Sequence, residues 1–352
     1  MVNMKNLLPI FITLIAFSLS FTEVWSSDYP MGDELWNKKE QAPLYRELKT
    51  LAAQGDTKSQ FLLGVMYYYG KGVSCNKREA IHWYQRAAKN GYAPAQHAIG
   101  TIYENGQDLG TNQKRAAHWY RRAAEQSYAP SQNNLGLMYY NGSGVPNDYK
   151  KAANLLKLAA EQGTAGAQLL LGLMYQKGQG VPVHYKEAAK WLQRAAFQGH
   201  TIAQTNLGLI YIKGEGVPQD YEEAANWLKL AAEQGEAVAQ VNLGLMYIKG
   251  KGISRDYEEA ANWVRLAAEQ GIPSAQVKLG MMYEYGRGVM QDYVAAYMWY
   301  SLGAPQGQKI AKEHRNIIEK KMTSFQIEKA LYLAGKWLDT HGGLNLFIRV
   351  NK

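Results

Sequence analysis

Apolar residues recur along this chain at the spacing of an α-helix, and the whole pattern returns every 36 residues. In the copy at 203–235, Ala203, Leu207 and Tyr211 follow one another at four-residue intervals, which places them on one face of a first helix. A glycine-rich turn follows, and then a second stretch with a pair of alanines on either side of Trp227. Small residues let helices approach closely, and a tryptophan fills the space between repeats. Each copy therefore predicts two packed helices.

Seven copies keep the same residues in the same columns without insertions, which predicts a tandem repeat array. Each first helix carries a glycine on its packed side, although glycine inside a helix costs about 1 kcal/mol against alanine. Its return in every copy indicates a close approach of two helices. These glycines are Gly64, Gly100, Gly136, Gly172, Gly208, Gly244 and Gly280. The structural tryptophans of the second helix include Trp191, Trp227 and Trp263. Asp220 predicts the start of a second helix and, with Glu223, a capping box.

The repeated pattern resembles a known family. Ala-Gln-x-x-Leu-Gly-x-x-Tyr in the first helix, Gly-x-Gly-Val in the turn and Asp-Tyr-x-x-Ala-x-x-Trp in the second helix are similar to the Sel-one-like repeat (SLR). This family is a longer-looped relative of the tetratricopeptide repeat (TPR). The resemblance covers about residues 44–340 and implies an all-α fold, a right-handed α-solenoid (superhelix) of antiparallel helix pairs. It also implies protein binding without naming a partner, because the family consists of scaffolds with many different partners.

The repeat pattern divides the chain into segments. The seven repeats occupy residues 56–307, and residues 44–55 resemble the end of a second helix that caps the first repeat. Residues 308–340 predict a closing pair of helices. The flanking segments are a flexible lead-in at 28–43 and a frayed tail at 341–352.

Residues 1–27 read as a secretory signal peptide. Lys5 precedes an uncharged apolar run of 15 residues from Leu7 to Phe21, and Val24-Trp25-Ser26 offers acceptable residues for cleavage. The run is shorter than the roughly 20 apolar residues of a membrane span. We therefore expect export across a bacterial inner membrane, into the periplasm or the medium. An uncleaved membrane anchor is the alternative.

Charge and cysteine content narrow the classes of partner. Lys and Arg exceed Asp and Glu by 39 to 30, and nine of the cations lie beyond residue 307. This balance favours a solvated basic end cap, and attraction to acidic partners or to anionic lipid headgroups is the functional alternative. Nucleic acid is not expected, because the signal peptide takes the protein out of the cytosol. The single cysteine, Cys75, excludes an internal disulfide, unlike the family's disulfide-bearing secreted members.

The residue types that enzymes and metal sites use are scattered along the chain. The seven histidines have no spacing typical of a zinc module or a metalloprotease helix, and no serine stands in a nucleophile elbow. The recurrent Gly-x-Gly lies between two helices, so it predicts a turn and not a phosphate loop. The sequence therefore predicts no catalytic residue, no metal and no cofactor, and we expect a protein that is not an enzyme.

Candidate binding residues come from two columns of the first helix that vary between copies. They lie two and nine residues after the repeated glutamine, and because seven residues make two helical turns, the columns share a face. In the related TPR proteins this face lines the concave groove. The candidates are Asn134, Asn141, Lys177, Asn206, Lys213, Asn242, Lys249, Lys278 and Tyr285. Their donors suit an extended peptide, a carboxylate or a phosphate, and an ordinary solvated face is the other interpretation.

Three classes of function remain. The first is a non-enzymatic protein–protein interaction scaffold exported from a bacterial cell. For this class the resemblance implies partners that range from envelope assembly components to host proteins, since exported members occur in intracellular pathogens and aid entry or trafficking. The second is a periplasmic scaffold for polysaccharide or secretion machinery. The third is cell-wall glycan binding or a glycan hydrolase.

Overall fold

The computed structural model describes residues 38–106, 109–304 and 309–341, and all regular structure in these ranges is helical. Consecutive helices are joined by short turns and pack side by side, so the two helices of a pair run antiparallel. This confirms the predicted all-α solenoid class. The helices are α1 (Lys38–Ala53), α2 (Thr57–Tyr69), α3 (Lys77–Lys89), α4 (Ala93–Asn105), α5 (Gln113–Ala124), α6 (Ala129–Asn141), α7 (Tyr149–Glu161), α8 (Ala165–Lys177), α9 (Tyr185–Phe197), α10 (Thr201–Lys213), α11 (Tyr221–Glu233), α12 (Ala237–Lys249), α13 (Tyr257–Glu269), α14 (Pro273–Tyr285), α15 (Tyr293–Gly303), α16 (Lys309–Glu319) and α17 (Ser324–Thr340).

The helices belong to two compact units, Met1–His184 with α1–α8 and Tyr185–Lys352 with α9–α17. Within each unit the core is built from the alanine pairs of one repeat and the first helix of the next. In the second unit, for example, Ala231 of α11 is fully buried in one cluster with Leu243 and Met246 of α12. The small side chains bring the helix axes together, and the larger ones fill the remaining space.

The tryptophan column of the second helices belongs to this core. Trp191 and Trp227 are buried, and Trp263 is half-buried. The rings of Trp227 and Phe197, a residue of the preceding repeat, pack in a T-shaped arrangement with 5.2 Å between their centroids. The tryptophan therefore packs between second helices of neighbouring repeats.

Gly208 lies where α10 and α11 cross. A Cβ atom built on Gly208 would lie 2.7 Å from Cγ of Leu228 and 3.2 Å from the carbonyl oxygen of Ala224. The absence of a side chain is thus what permits this distance between the two helices. The equivalent glycines that face their second helix in the same way are Gly64, Gly100, Gly136, Gly244 and Gly280. Gly172 is buried as well.

Hydrogen bonds of the residue that caps the second helix hold the turn between the two helices, as Asp220 shows. Asp220 accepts hydrogen bonds from the backbone N–H groups of Glu222 and Glu223, at 2.9 and 3.0 Å, as predicted for an N-cap. Its own N–H donates to the carbonyl oxygen of Tyr211 at 3.0 Å. The predicted capping box is therefore wrong in its second half, because the end of α10 already uses the donor that Glu223 would need.

In five of the repeats a second turn glycine contacts the repeat before. Gly252 has a φ of +69° and lies against the carbonyl group of Tyr221, the first residue of α11 in the preceding repeat. A side chain at Gly252 would overlap that backbone. The same contact is made by Gly144 on Gln113, Gly180 on Tyr149, Gly216 on Tyr185 and Gly288 on Tyr257.

A buried glutamine in each first helix forms a second link to the preceding repeat. Nε2 of Gln204 donates to the carbonyl oxygen of Ala196 at 3.3 Å, and its Oε1 accepts from Nε2 of Gln234 at 2.8 Å. Because an unpaired buried polar atom costs about 1–3 kcal/mol, these bonds favour one register of the repeats. The glutamines that make the same bond to a preceding alanine are Gln60, Gln96, Gln132, Gln168, Gln240 and Gln276.

The first repeat lacks one bond of this network. Oε1 of Gln60 is buried and has no hydrogen-bond partner among the described residues. The residue at the position of Gln234 in this repeat is Asn90, whose side chain is one methylene shorter than that of glutamine. The shorter amide accounts for the missing contact.

The first helix begins earlier than predicted. α1 starts at Lys38, so residues 38–43 of the predicted flexible lead-in are helical. α1 continues through Pro43, although a proline inside a helix removes an N–H donor and its ring crowds the carbonyl group of the residue four positions earlier. The predicted signal peptide, residues 28–37 and the tail from residue 342 lie outside the described residues, as do residues 107–108 and 305–308.

Candidate functional site

The predicted site residues are divided between the two units. Asn134, Asn141 and Lys177 belong to the first unit. Nδ2 of Asn134 donates to the hydroxyl of Tyr120 at 3.2 Å, and its Oδ1 accepts from Nδ2 of Asn133 at 3.1 Å. Asn134 is therefore committed to the protein itself, whereas Asn141 and Lys177 are exposed at the ends of α6 and α8.

The second unit brings the other six candidates onto three first helices. Asn206 and Lys213 lie on α10, Asn242 and Lys249 on α12, and Lys278 and Tyr285 on α14. Neighbouring first helices are in contact, because the hydroxyl of Thr205 donates to Oε2 of Glu236, the N-cap of α12, at 3.2 Å. Residues in equivalent columns therefore share one side of this unit.

Two apolar columns accompany the polar ones, and sequence reasoning missed them. On α10 they are Ile202, four residues before Asn206, and Leu209, three residues after it. Ile202 is 50% exposed, and Leu209 is half-buried. We call the combined area the first-helix surface. It consists of Ile202, Asn206, Leu209 and Lys213 of α10, Val238, Asn242, Leu245 and Lys249 of α12, and Ser274, Lys278, Met281 and Tyr285 of α14.

The helix α16 extends this surface by one more row. α16 begins 36 residues after α14, so its residues fall into the same columns. Ile310 and Ile317, 52% and 50% exposed, occupy the apolar columns, and His314 follows Lys278 in a polar column. The repeat signature is lost from this part of the sequence, which is why these residues were not predicted, although counting 36 residues onward would have found them.

Glu284 fixes α16 against α14. Its side chain is only 4% exposed, and Oε2 accepts a hydrogen bond from the hydroxyl of Tyr300 at 2.7 Å. The same oxygen lies 2.8 Å from Nδ1 of His314. This carboxylate is turned inward to its two partners and does not contribute an exposed negative charge to the first-helix surface.

Asn206 and Asn242 have fewer free hydrogen-bond donors for a partner than the sequence predicted. Nδ2 of Asn206 donates to the carbonyl oxygen of Ile202 at 2.7 Å, and Nδ2 of Asn242 donates to that of Val238 at 2.8 Å. Each amide group thus bonds back onto its own helix. One of its two N–H donors is occupied, and the side-chain oxygen remains as an acceptor for a partner.

Lysines give the surface its charge. Burial lowers the pKa of Lys278, and the nearby positive charge of Lys249 lowers it further. Neither ammonium group lies within 4 Å of a carboxylate in the described part of the chain, whereas Lys213 forms an exposed ion pair with Glu215 at 3.7 Å. Burial also raises the pKa of Tyr285, with a further contribution from Glu284. Two adjacent cations without a counter-charge can bind an anion.

Other kinds of site are not in evidence within residues 38–106, 109–304 and 309–341. These ranges contain no group of three or more His, Cys, Asp or Glu side chains placed to hold a metal ion. None of their helices combines the length and the apolar character needed to span a membrane. Cys75 is exposed, with its Sγ 3.4 Å from the carbonyl oxygen of Tyr68.

Seven consecutive segments of the chain match the Sel1 repeat family, at residues 57–92, 93–128, 129–164, 165–200, 201–236, 237–272 and 273–308. Two solved structures are similar over most of the length. One is c5321, a protective antigen present in uropathogenic Escherichia coli strains displaying an SLR fold, with 31% identity, 87% of this chain and 73% of that chain covered, and a TM-score of 0.62. The other is a Sel1 repeat protein from Oxalobacter formigenes, with 32% identity, coverage of 86% and 85%, and a TM-score of 0.61. No curated protein matches the chain.

Proposed function

Because this chain belongs to the Sel1 repeat family, whose proteins are interaction scaffolds and in general non-catalytic, we propose that it binds a protein partner on its first-helix surface. The observation that carries the proposal is the exposure of apolar side chains between polar ones. Ile202 and Val238 are 50% and 45% exposed. Apolar side chains grouped on a surface and bordered by polar residues are typical of a protein interaction site.

The charge of the surface favours an acidic partner. The positive charge of Lys249 acts on Lys278, and neither ammonium group is within 4 Å of a carboxylate among the described residues. A carboxylate on the partner would relieve their repulsion, and the chain's formal charge of +9 would speed the encounter. Binding should therefore weaken as salt rises, since screening acts over about 8 Å at physiological ionic strength.

A photo-crosslinking experiment tests this function. We expect a photoreactive amino acid at Ile202 to capture a partner in cells of the source organism, and the same group at Lys229, exposed on the second helix α11, to capture little. Replacing Asn206, Lys213, Asn242 and Lys249 by alanine should reduce the Ile202 crosslink by at least about tenfold, because the polar contacts that orient the partner are lost. Circular dichroism should show an unchanged helix content.

Two outcomes would contradict the proposal. One is equal crosslinking from the Ile202 and Lys229 positions, which would show that the partner does not prefer the first-helix surface. The other is an undiminished crosslink in the fourfold alanine variant at low salt. Either result would direct attention to the second-helix side or to the basic segment beyond residue 307.

We further propose that the protein is exported and meets its partner outside the cytoplasm. The support is the N-terminal sequence 1–27, together with the description of the similar c5321 protein as a protective antigen. N-terminal sequencing of fractionated cells should find a mature chain that starts near Ser27 in the periplasm or the medium. A cytoplasmic chain that keeps its N-terminal segment would contradict export. Recovery from the medium would favour a host partner, and retention in the periplasm would favour a partner in the cell envelope.

A further inference from the structure

We propose that the partner segment held on the first-helix surface is an acidic amphipathic α-helix that lies across α10, α12, α14 and α16. The inference rests on the proposed function and specifies the conformation and the charge of what is bound. Three features of the surface carry it: the spacing of its columns, the position of its apolar side chains and the two lysines, Lys249 and Lys278, that no carboxylate of the described residues pairs with.

The spacing of the columns matches a helix and not a strand. The first helices of neighbouring repeats contact one another through side chains, as in the bond between Thr205 and Glu236, and contacting helices lie about 10 Å apart, so one column presents a side chain about every 10 Å across the repeats. Residues seven positions apart on an α-helix share a face and lie about 10.5 Å apart. Same-face residues of an extended chain recur at about 6.6 Å and 13 Å. A bound helix therefore places a residue of the same face at every repeat. The same-face residues of an extended peptide do not coincide with the columns from one repeat to the next.

The apolar side chains form two parallel columns, one on each side of the asparagines. The outer column contains Ile202, Val238 and Ile310, which are 45–52% exposed, and Ser274 interrupts it between Val238 and Ile310. The inner column contains the half-buried Leu209, Leu245 and Met281 and continues with the exposed Ile317. An amphipathic helix carries apolar residues at i, i+3 or i+4, and i+7, a stripe wide enough to cover both columns.

The charges of the surface select an acidic helix. None of the residues that form the first-helix surface is Asp or Glu, and two acids beside it are each paired with a lysine, Glu215 with Lys213 at 3.7 Å and Glu313 with Lys309 at 3.8 Å. The nearby carboxylate of Glu284 is occupied by Tyr300 and His314. Docking any helix would exclude water from Lys249 and Lys278, which is unfavourable unless the incoming segment supplies an anion. Glutamates along one edge of the bound helix would supply it.

Designed peptides provide a direct test on the full chain. The first probe is a fluorescent three-heptad peptide with two leucines in each heptad and glutamates beside them. The second carries a proline in its central heptad, which breaks the helix, and the third has lysine in place of glutamate. In fluorescence anisotropy we expect the acidic helical peptide to bind at least about tenfold more tightly than the proline peptide, because the proline peptide must fold against its preference. The lysine peptide should not bind.

Two variants of the protein locate the site. The double variant Lys249→Ala and Lys278→Ala should weaken the acidic helical peptide by at least about tenfold, since it removes the anion contacts. The matched control is the double variant Lys186→Ala and Lys229→Ala, which changes exposed lysines of the second helices α9 and α11. It lowers the net charge by the same two units as the test variant. Thermal melting should be the same for both variants.

The outcomes separate this inference from the proposed function. If the proline peptide binds as tightly as the helical one and loses affinity in the Lys249/Lys278 variant, the helical conformation is wrong and the binding surface stands. If the acidic helical peptide does not bind, or binds both variants equally, the inference is overturned. The proposed function is then judged separately by the crosslink from Ile202.

Discussion

Replacing Gly252 by alanine is expected to lower the free energy of unfolding by about 3–5 kcal/mol, whereas the same change at Gly235 should cost about 1–2 kcal/mol. Both glycines have a positive φ, +69° and +89°. Alanine is therefore strained at both positions to a similar degree. The difference between the unfolding free energies of the two variants therefore measures the cost of the contacts that the new Cβ atom makes.

At Gly252 the new Cβ atom would overlap the carbonyl group of Tyr221 and approach the backbone nitrogen of Glu222. Backbone atoms at a helix start cannot rotate away, so the turn or α11 must move. At Gly235 a Cβ atom finds nothing within 4 Å. Urea unfolding followed by circular dichroism measures the difference, and hydrogen exchange should show the opening near α11 and the turn that follows α12.

Equal unfolding free energies for Gly252→Ala and Gly235→Ala would show that the turn does not rest on the preceding repeat. The contact would then be incidental to stability. A loss at Gly252 spread evenly over all described helices, without a local opening, would instead indicate that the array unfolds as one cooperative body.

Gly208→Val is the second large expected effect, a loss of about 2–4 kcal/mol. The valine Cβ would lie 2.7 Å from Cγ of Leu228 and 3.2 Å from the Ala224 carbonyl oxygen, and its two methyl groups extend further into α11. Leu228 is fully buried, so it has no space into which to move. The gain in helix propensity from replacing glycine, a few tenths of a kcal/mol, does not offset this overlap.

Lys213→Ala is the matched control on the same helix. Lys213 is exposed, and its ion pair with Glu215 is a surface pair at 3.7 Å, so its removal should change stability by less than about 0.5 kcal/mol. Differential scanning calorimetry of the two variants measures the contrast. Indistinguishable melting temperatures would mean that α10 and α11 can separate at Gly208 without loss.

The repeat columns were sufficient to predict the fold, because each column has a local physical reason. A glycine inside a helix and a polar N-cap before it can be recognised from sequence alone. Bonds made between helices cannot. The sequence could not show that Tyr211 occupies the N–H of Asp220, nor that the buried glutamine bonds to an alanine of the repeat before.

The candidate surface was predicted only in part, because the exposure of a side chain depends on contacts between helices. Polar variation drew attention to Asn206 and Lys249, but the exposed Ile202 resembles a core residue in sequence. Only the packing shows that half of this side chain stays exposed among the described residues. The back-bonding of Asn206 to Ile202 depends on its rotamer, which no pattern specifies. His314 was missed because α16 lacks the signature that identifies the earlier repeats.

Gly252 and Gln240 contact a helix that precedes them in the chain, so the repeats can fold in order from the N-terminus to the C-terminus. Both residues contact α11, which precedes them in the chain, and neither needs a later repeat to make that contact. A chain that leaves a ribosome or a translocation channel N-terminus first therefore presents each new first helix with a completed second helix. Contacts of such short range in sequence form quickly. Synthesis and folding can thus keep the same order, one repeat at a time.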